Sequence, residues 1–165
     1  MKYKIKSLLD AFEEGEINVM GQQCNCFHKM YAGIAPLIAN KWPEVRDVDN
    51  ATVFGDISKL GHFSVAQIIN NGLPSAIYNL YGQFNPGPDT RYESLDMALT
   101  GMATMLAYDK DAIKIGFPKL GCGIGGGDWK IIEGFIKTIF VNQGFDVTIY
   151  VLNALEIPEW VRDPA

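Results

Sequence analysis

Phe117-Pro118-Lys119-Leu120-Gly121-Cys122-Gly123-Ile124-Gly125-Gly126-Gly127-Asp128-Trp129 is the stretch where a short apolar strand runs into a glycine-rich loop and then a helix. Lacking Cβ atoms, the glycines let the backbone take positive φ and press against a ligand, while the following helix offers unpaired N–H groups. A junction of this kind holds phosphate. Gly121, Gly123 and Gly126 also satisfy G-x-G-x-x-G, but a dinucleotide-binding unit places that loop after its first strand and follows it with several βα repeats. Only one helix and one strand remain here, so that reading is excluded. A turn without a ligand is the competing reading of the loop alone, and specificity has to come from other segments.

A chain of 165 residues with 48% hydrophobic content fits one domain spanning 1–165 with a sizeable core. Its net charge of -5 and pI near 5.0 argue against a general nucleic-acid or membrane-surface binder, either of which needs a basic field. Any anion must then be held by local donors, mainly backbone N–H groups. The first six residues lack the apolar segment of a signal peptide, and no apolar run approaches the length of a membrane span; a cytoplasmic protein is expected. Cys24, Cys26 and Cys122 leave one thiol over in any disulfide scheme, so reduced thiols are the default.

Residues 3–8 alternate like a half-buried strand, 10–16 read as an acidic connection, and 17–22 read as a second strand. The loop 23–33 opens a helix over 34–41, where Pro36 sits in the first turn and Pro43 marks the end. Residues 45–50 are polar and read as a surface crossing, and 51–54 as a short edge strand. Residues 63–69 and 76–81 flank Asn70-Asn71-Gly72, which predicts an antiparallel hairpin. A loop over 83–90 leads to a helix over 92–108, whose methionines at helical spacing are core filler. A strand over 112–117, the glycine loop, a helix over 129–141, a fully apolar strand over 147–152 and a tail over 156–165, pinned by Trp160, complete the chain.

Strands alternating with helices, plus one hairpin, predict an α/β fold with a mixed sheet of about six strands and helices on both faces. Ligands of such sheets lie beyond the carboxyl ends of the strands, where the loops 24–33 and 121–127 both fall. Two loop-to-helix junctions at one rim would match a diphosphate.

Gln23-Cys24-Asn25-Cys26, Met30, Gly33-Ile34-Ala35, Asn79-Leu80-Tyr81-Gly82-Gln83, Arg91-Tyr92-Glu93 and the stretch 118–129 together resemble a macrodomain, in the right order and over nearly the whole chain. The likeness is to the small stand-alone members that include ADP-ribose 1″-phosphate phosphatases, bacteriophage homologues and terminal ADP-ribose glycohydrolases. The resemblance implies an ADP-ribose cleft; a monomer without a cofactor is expected. Asn25 would hydrogen-bond the distal ribose. Met30, Tyr31, Ala32, Gly33, Ile34 and Ala35, with Gly121, Cys122, Gly123, Ile124, Gly125, Gly126 and Gly127, would clasp the diphosphate and that ribose. Two departures stand out. The adenine-reading aspartate of many macrodomains is matched by Ser7, with Asp10 nearby, and the glycohydrolases' lysine and aspartate are matched by Gln83 and Gly125, which does not support a lysyl intermediate.

Hydrolysis of ADP-ribose 1″-phosphate to ADP-ribose and phosphate needs stabilised phosphoryl charge, an in-line water and a proton for the leaving oxygen. Asp128 and His28 are the ionisable side chains nearest the two loops and are the catalytic candidates. Each has a second reading: Asp128 as a helix N-cap, His28 as a satisfied loop histidine. Asn25 can likewise cap a turn. Cys122 is a thiolate nucleophile or a small buried side chain, and Tyr31 and Trp129 either stack on a ligand ring or pack. Cys24, Cys26 and His28 lack metal-site spacing, so no metal is expected. The alternatives to the phosphatase are a binding module without turnover and a hydrolase that removes ADP-ribose from protein or nucleic acid.

Overall fold

The computed structural model describes residues 1–162, so the last part of the expected tail, 163–165, lies outside the described residues. Strands β1 (Lys2–Ile5), β2 (Val19–Gln23), β3 (Phe63–Asn70), β4 (Leu73–Leu80), β5 (Lys114–Phe117) and β6 (Asp146–Val151) form one sheet in the order β1-β6-β5-β2-β4-β3. Neighbours run parallel except β3 and β4. That antiparallel pair is the hairpin read from the sequence: Asn71 and Gly72 take φ of 52° and 74°, the left-handed pair a two-residue turn between twisted strands requires. β6 lies between β1 and β5 and is covered on both faces, which is why its residues from Val147 to Val151 are buried and, apart from Thr148, apolar or aromatic.

Parallel neighbours need crossovers, and helices supply them on both faces. Helices α1 (Leu8–Glu13), α2 (Ala35–Lys41) and α3 (Glu44–Asn50) cover one face, where Phe12, Ile38 and Val45 pack on Met20 and Ile77. Helices α4 (Tyr92–Leu106) and α5 (Trp129–Ile139) cover the other, where Leu95, Leu99, Met102, Ile132 and Ile136 pack on Phe117 and Ile149. A single turn, α6 (Glu159–Arg162), follows β6. Among the described residues no helix is long and apolar enough to cross a membrane.

Three local expectations are corrected. The connection at 10–16 is largely α1, with Ser7 as its N-cap accepting the Asp10 N–H; at six residues the helix is too short to show a full apolar period. The surface crossing at 45–50 is α3, whose polar composition conceals a buried Asp49 that accepts a hydrogen bond from the Tyr81 hydroxyl (2.7 Å). Residues 51–54 form no strand: Ala51 closes α3, Val53 and Phe54 are exposed, and β3 occupies that sheet edge.

Trp160 does pin the chain end. Its Nε1 donates to the buried carboxylate of Glu133 on α5 (3.1 Å), which also accepts from Lys137 (2.9 Å) and from the Tyr3 hydroxyl on β1. Burial alone would raise the Glu133 carboxyl, but hydrogen bonds from Tyr3, Lys137 and Trp160 outweigh it and hold the group below its ordinary value of 4.5. A carboxyl depressed on folding contributes stability above its unfolded value, and that stability is lost as pH falls through the folded one. Thermal unfolding followed from neutral pH down past about 4.5 should therefore fall less steeply for Glu133→Gln than for the wild type; parallel curves would contradict this role.

Candidate functional site

β5 and β2 lie side by side at the sheet centre, and the chain leaves them in opposite directions: β2 is followed by helices on one face, β5 by α5 on the other. Such a switch point opens a crevice beyond the carboxyl ends of the two strands. It is a cleft of about 460 Å³, with Asn25 in one wall and Gly123 in the other. That volume falls in the range of small-molecule sites.

The wall that follows β2 is fixed from behind. The Cys24 N–H donates to the Leu80 carbonyl (2.7 Å), the Cys26 N–H to Phe84 O (3.0 Å) and the buried Lys59 ammonium to Cys26 O (3.2 Å). The Phe27 ring sits edge-on to Phe54 and Phe84. Asn25 Oδ1 accepts the Phe27 N–H (2.9 Å), and Nδ2 donates to Lys29 O (2.9 Å), so the side chain caps this turn and keeps one Nδ2 hydrogen in reserve. Beyond the turn, the N–H groups of Tyr31, Ala32, Gly33, Ile34 and Ala35 meet no acceptor among the described residues. Ile34 gives α2 no side-chain cap, and Pro36 in its first turn has no N–H to satisfy.

The glycine loop divides its donors. The Gly127 N–H returns to Gly121 O (2.7 Å), Gly126 N–H to Gly123 O (3.1 Å) and Cys122 N–H to Lys119 O (3.2 Å), while those of Gly123, Ile124 and Gly125, which line the cleft, meet no acceptor among the described residues. Thr90 holds this shape. Its N–H donates to Gly125 O (3.2 Å) and its hydroxyl to Gly121 O (2.9 Å), while Gln23 Nε2 on β2 donates to Thr90 Oγ1 (2.8 Å) and to Gln83 Oε1 (2.9 Å). Gly125 suits this close approach, because a Cβ there would stand 2.5 Å from Thr90 Oγ1 and 2.8 Å from Gly121 O and force one of them to shift.

Of the residues expected to bind, Asn25, Tyr31, Ala32, Gly33, Ile34, Ala35, Gly121, Gly123, Ile124 and Gly125 line the cleft. Met30 does not, being buried in the core under α2, and Cys122, Gly126 and Gly127 shape the loop from behind. Burial pushes the Cys122 thiol up to about 11 and its Sγ meets Leu120 O (3.2 Å), the opposite of an activated nucleophile. The two catalytic candidates are engaged outside the cleft. Asp128 is exposed, and its carboxylate accepts the Lys130 N–H (2.9 Å) as the N-cap of α5. His28 Nε2 bonds Thr52 O (3.0 Å) and its ring sits edge-on to Phe54. Neither lines the cleft. Trp129 packs, its Nε1 donating to the Tyr3 hydroxyl (2.9 Å), whereas Tyr31 stays 68% exposed at the rim. Ser7 and Asp10 lie outside the lining.

The structure adds Gln22, Gln23, Lys29, Gln83 and Lys119 to the walls. Two adjacent glutamines closing an otherwise apolar strand were the available signal for the first pair, and Lys119 stood inside the stretch that opens the glycine loop. Gln22 Oε1 and Gln23 Oε1 are buried without a partner among the described residues, at a cost of roughly 1–3 kcal/mol each unless a ligand or water donates. Lys29 and Lys119 make the cleft locally positive in a chain of net charge -5. Among the described residues no cluster of three His, Cys, Asp or Glu side chains is placed to hold a metal.

Glycines 123 and 125 should separate under substitution. A Cβ at Gly123 meets nothing within 4 Å, so Gly123→Ala should stay within about 0.5 kcal/mol of wild type in urea unfolding. Gly125→Ala should lose about 1–3 kcal/mol from overpacking against Thr90.

No protein-family model matches the chain. Among solved structures it resembles the macrodomain of Mycobacterium tuberculosis DarG (21% identity, TM-score 0.70, covering 90% of this chain and 95% of that one). It also resembles Thermosipho africanus DarTG in complex with ADP-ribose (15% identity, TM-score 0.67, 92% of this chain and 42% of that one). In sequence it is 34% identical over 142 residues to an uncharacterised 17.5 kDa protein from the tk-vs intergenic region of Enterobacteria phage T4, covering 84% of this chain and 88% of the phage protein. The chain belongs to one family with that phage protein, and its fold is that of a macrodomain.

Proposed function

We propose that the cleft binds ADP-ribose, or a derivative with the same diphosphate, through main-chain amides. The observation that carries this reading is the convergence of two sets of unpartnered N–H groups, at 31–35 and 123–125, on one crevice whose charged side chains are Lys29 and Lys119. A diphosphate presents acceptor oxygens to both walls at once, and fixed amides in a partly dry crevice hold anions without the desolvation cost of more buried charges. The spare Asn25 Nδ2 hydrogen suits a ribose hydroxyl. The Thermosipho relative, with the same fold, was solved with ADP-ribose.

Hydrolysis of ADP-ribose 1″-phosphate is the sharper form of the reading. The amides at 123–125 would stabilise charge on the phosphoryl oxygens, but a base to orient water is also needed. No Asp, Glu or His lines the cleft among the described residues, so binding without turnover is what the geometry supports best. Removal of ADP-ribose from protein or nucleic acid meets the same lack.

Calorimetric titration should show ADP-ribose binding in a one-to-one complex, weakened at least about tenfold, or 1.4 kcal/mol, by Gly123→Val. Asp128→Asn and His28→Ala should leave the affinity unchanged, and phosphate should not be released from ADP-ribose 1″-phosphate. Absence of binding sinks the nucleotide reading. Phosphate release that either substitution abolishes restores the enzyme.

A further inference from the structure

The two edges of the sheet are guarded very differently. On β1, Lys2 and Lys4 stand on the edge strand with Lys6 just beyond, paired with Asp146, Glu16 and Glu14, a charged margin of the kind that discourages strand addition. On β3 the sequence Phe63-Ser64-Val65-Ala66-Gln67-Ile68-Ile69-Asn70 carries no charge and no proline, and its register with β4 runs unbroken from Phe63 to Asn70 without a bulge. β3 pairs only with β4. The Tyr81 N–H donates to His62 O (3.0 Å), and bonded positions alternate along an antiparallel ladder, so the even-numbered residues of β3 bond to β4. Val65, Gln67 and Ile69 therefore turn their N–H and C=O groups outward, where they have no partner among the described residues.

The surface beside this edge is apolar as well. Ile69 is 73% exposed and Tyr108 82%, and with Met105 they border a groove of about 520 Å³ on the α4 face of the hairpin. The groove reaches Asn18 and Val19 at the start of β2, the opposite end of that strand from the ligand cleft.

We propose that β3 pairs antiparallel with β3 of a second copy of this chain, joining two six-stranded sheets into one. A second copy suits this edge because the strand complements itself. Pairing centred on Gln67 sets that amide against its own copy and Val65 of one chain against Ile69 of the other, and no charge meets a like charge anywhere along the strand. The two-fold axis lays the exposed side chains of both grooves along one continuous apolar strip, as an isologous interface requires. Both clefts stay open, because they lie at the other end of β2. On this proposal the chain is a dimer where the sequence led to the expectation of a monomer.

Light scattering on the eluting peak of the full chain should give twice the 18.3 kDa of one chain, with the dimer fraction falling on dilution. Gln67→Lys with Ile69→Lys replaces two exposed side chains, so the fold should persist by circular dichroism while the mass drops to that of one chain. A one-chain mass for the wild type at the highest concentration it tolerates overturns the proposal and leaves the edge to some other chain. A dimer that survives both lysines, one on the axis and one beside it, overturns it equally.

Discussion

The Thr90 hydroxyl sets the shape of the ligand cleft. It accepts from Gln23 and donates to Gly121, so one oxygen joins the end of a central strand to the start of the glycine loop. Five glycines in seven residues would otherwise carry a large ordering entropy. The loop is ordered here because it folds back on Gly121 O so closely that side chains at 125 and 127 would crowd that oxygen, and one at 125 the Thr90 hydroxyl as well. The turned-in donors of 126 and 127 make the outward ones of 123–125 possible, and a ligand meets a surface that needs little rearrangement before binding.

The opposite wall rests on a buried polar cluster rather than on glycine. Asn79 donates to Val45 O (3.0 Å) and Ser64 Oγ (3.1 Å) and accepts from Gln22 (2.9 Å), and Tyr81 joins Ser64 to Asp49. These bonds tie β2, β3, β4 and α3 together beneath residues 24–30. Polar groups this deep are costly unless satisfied, and nearly all of them are. The result is a stiff turn at 24–30 followed by a short run, 31–35, whose amides the chain itself does not use.

Sequence reading recovered the elements with strong local signals. Asn71-Gly72 pointed to the hairpin, the run at 147–152 to a buried strand, and the stretch 117–129 to the strand, loop and helix in place. It missed α1 and α3, each under two full turns, because neither is long enough to display a period and α3 buries a carboxylate where an apolar residue is expected. Binding positions were legible wherever backbone does the work, since glycine and the start of a helix announce themselves. Positions whose role depends on which way a side chain turns were not. Asp128 and His28 sit beside the right loops but face Lys130 and Thr52, while Gln22 and Gln23 reach the cleft from a strand end.

A cleft walled by amides and two lysines, with neither imidazole nor carboxylate in its lining among the described residues, has a thermodynamic signature of its own. Burial lifts the Cys24 thiol well above its ordinary value, which removes the cysteine of the lining from the neutral range. On the proposed reading, no lining imidazole or carboxylate is there to take up or release a proton when a fully ionised pyrophosphate binds. The heat of complex formation should be the same in buffers of very different ionisation enthalpy, and any dependence on acidity near neutrality belongs to the guest rather than the host.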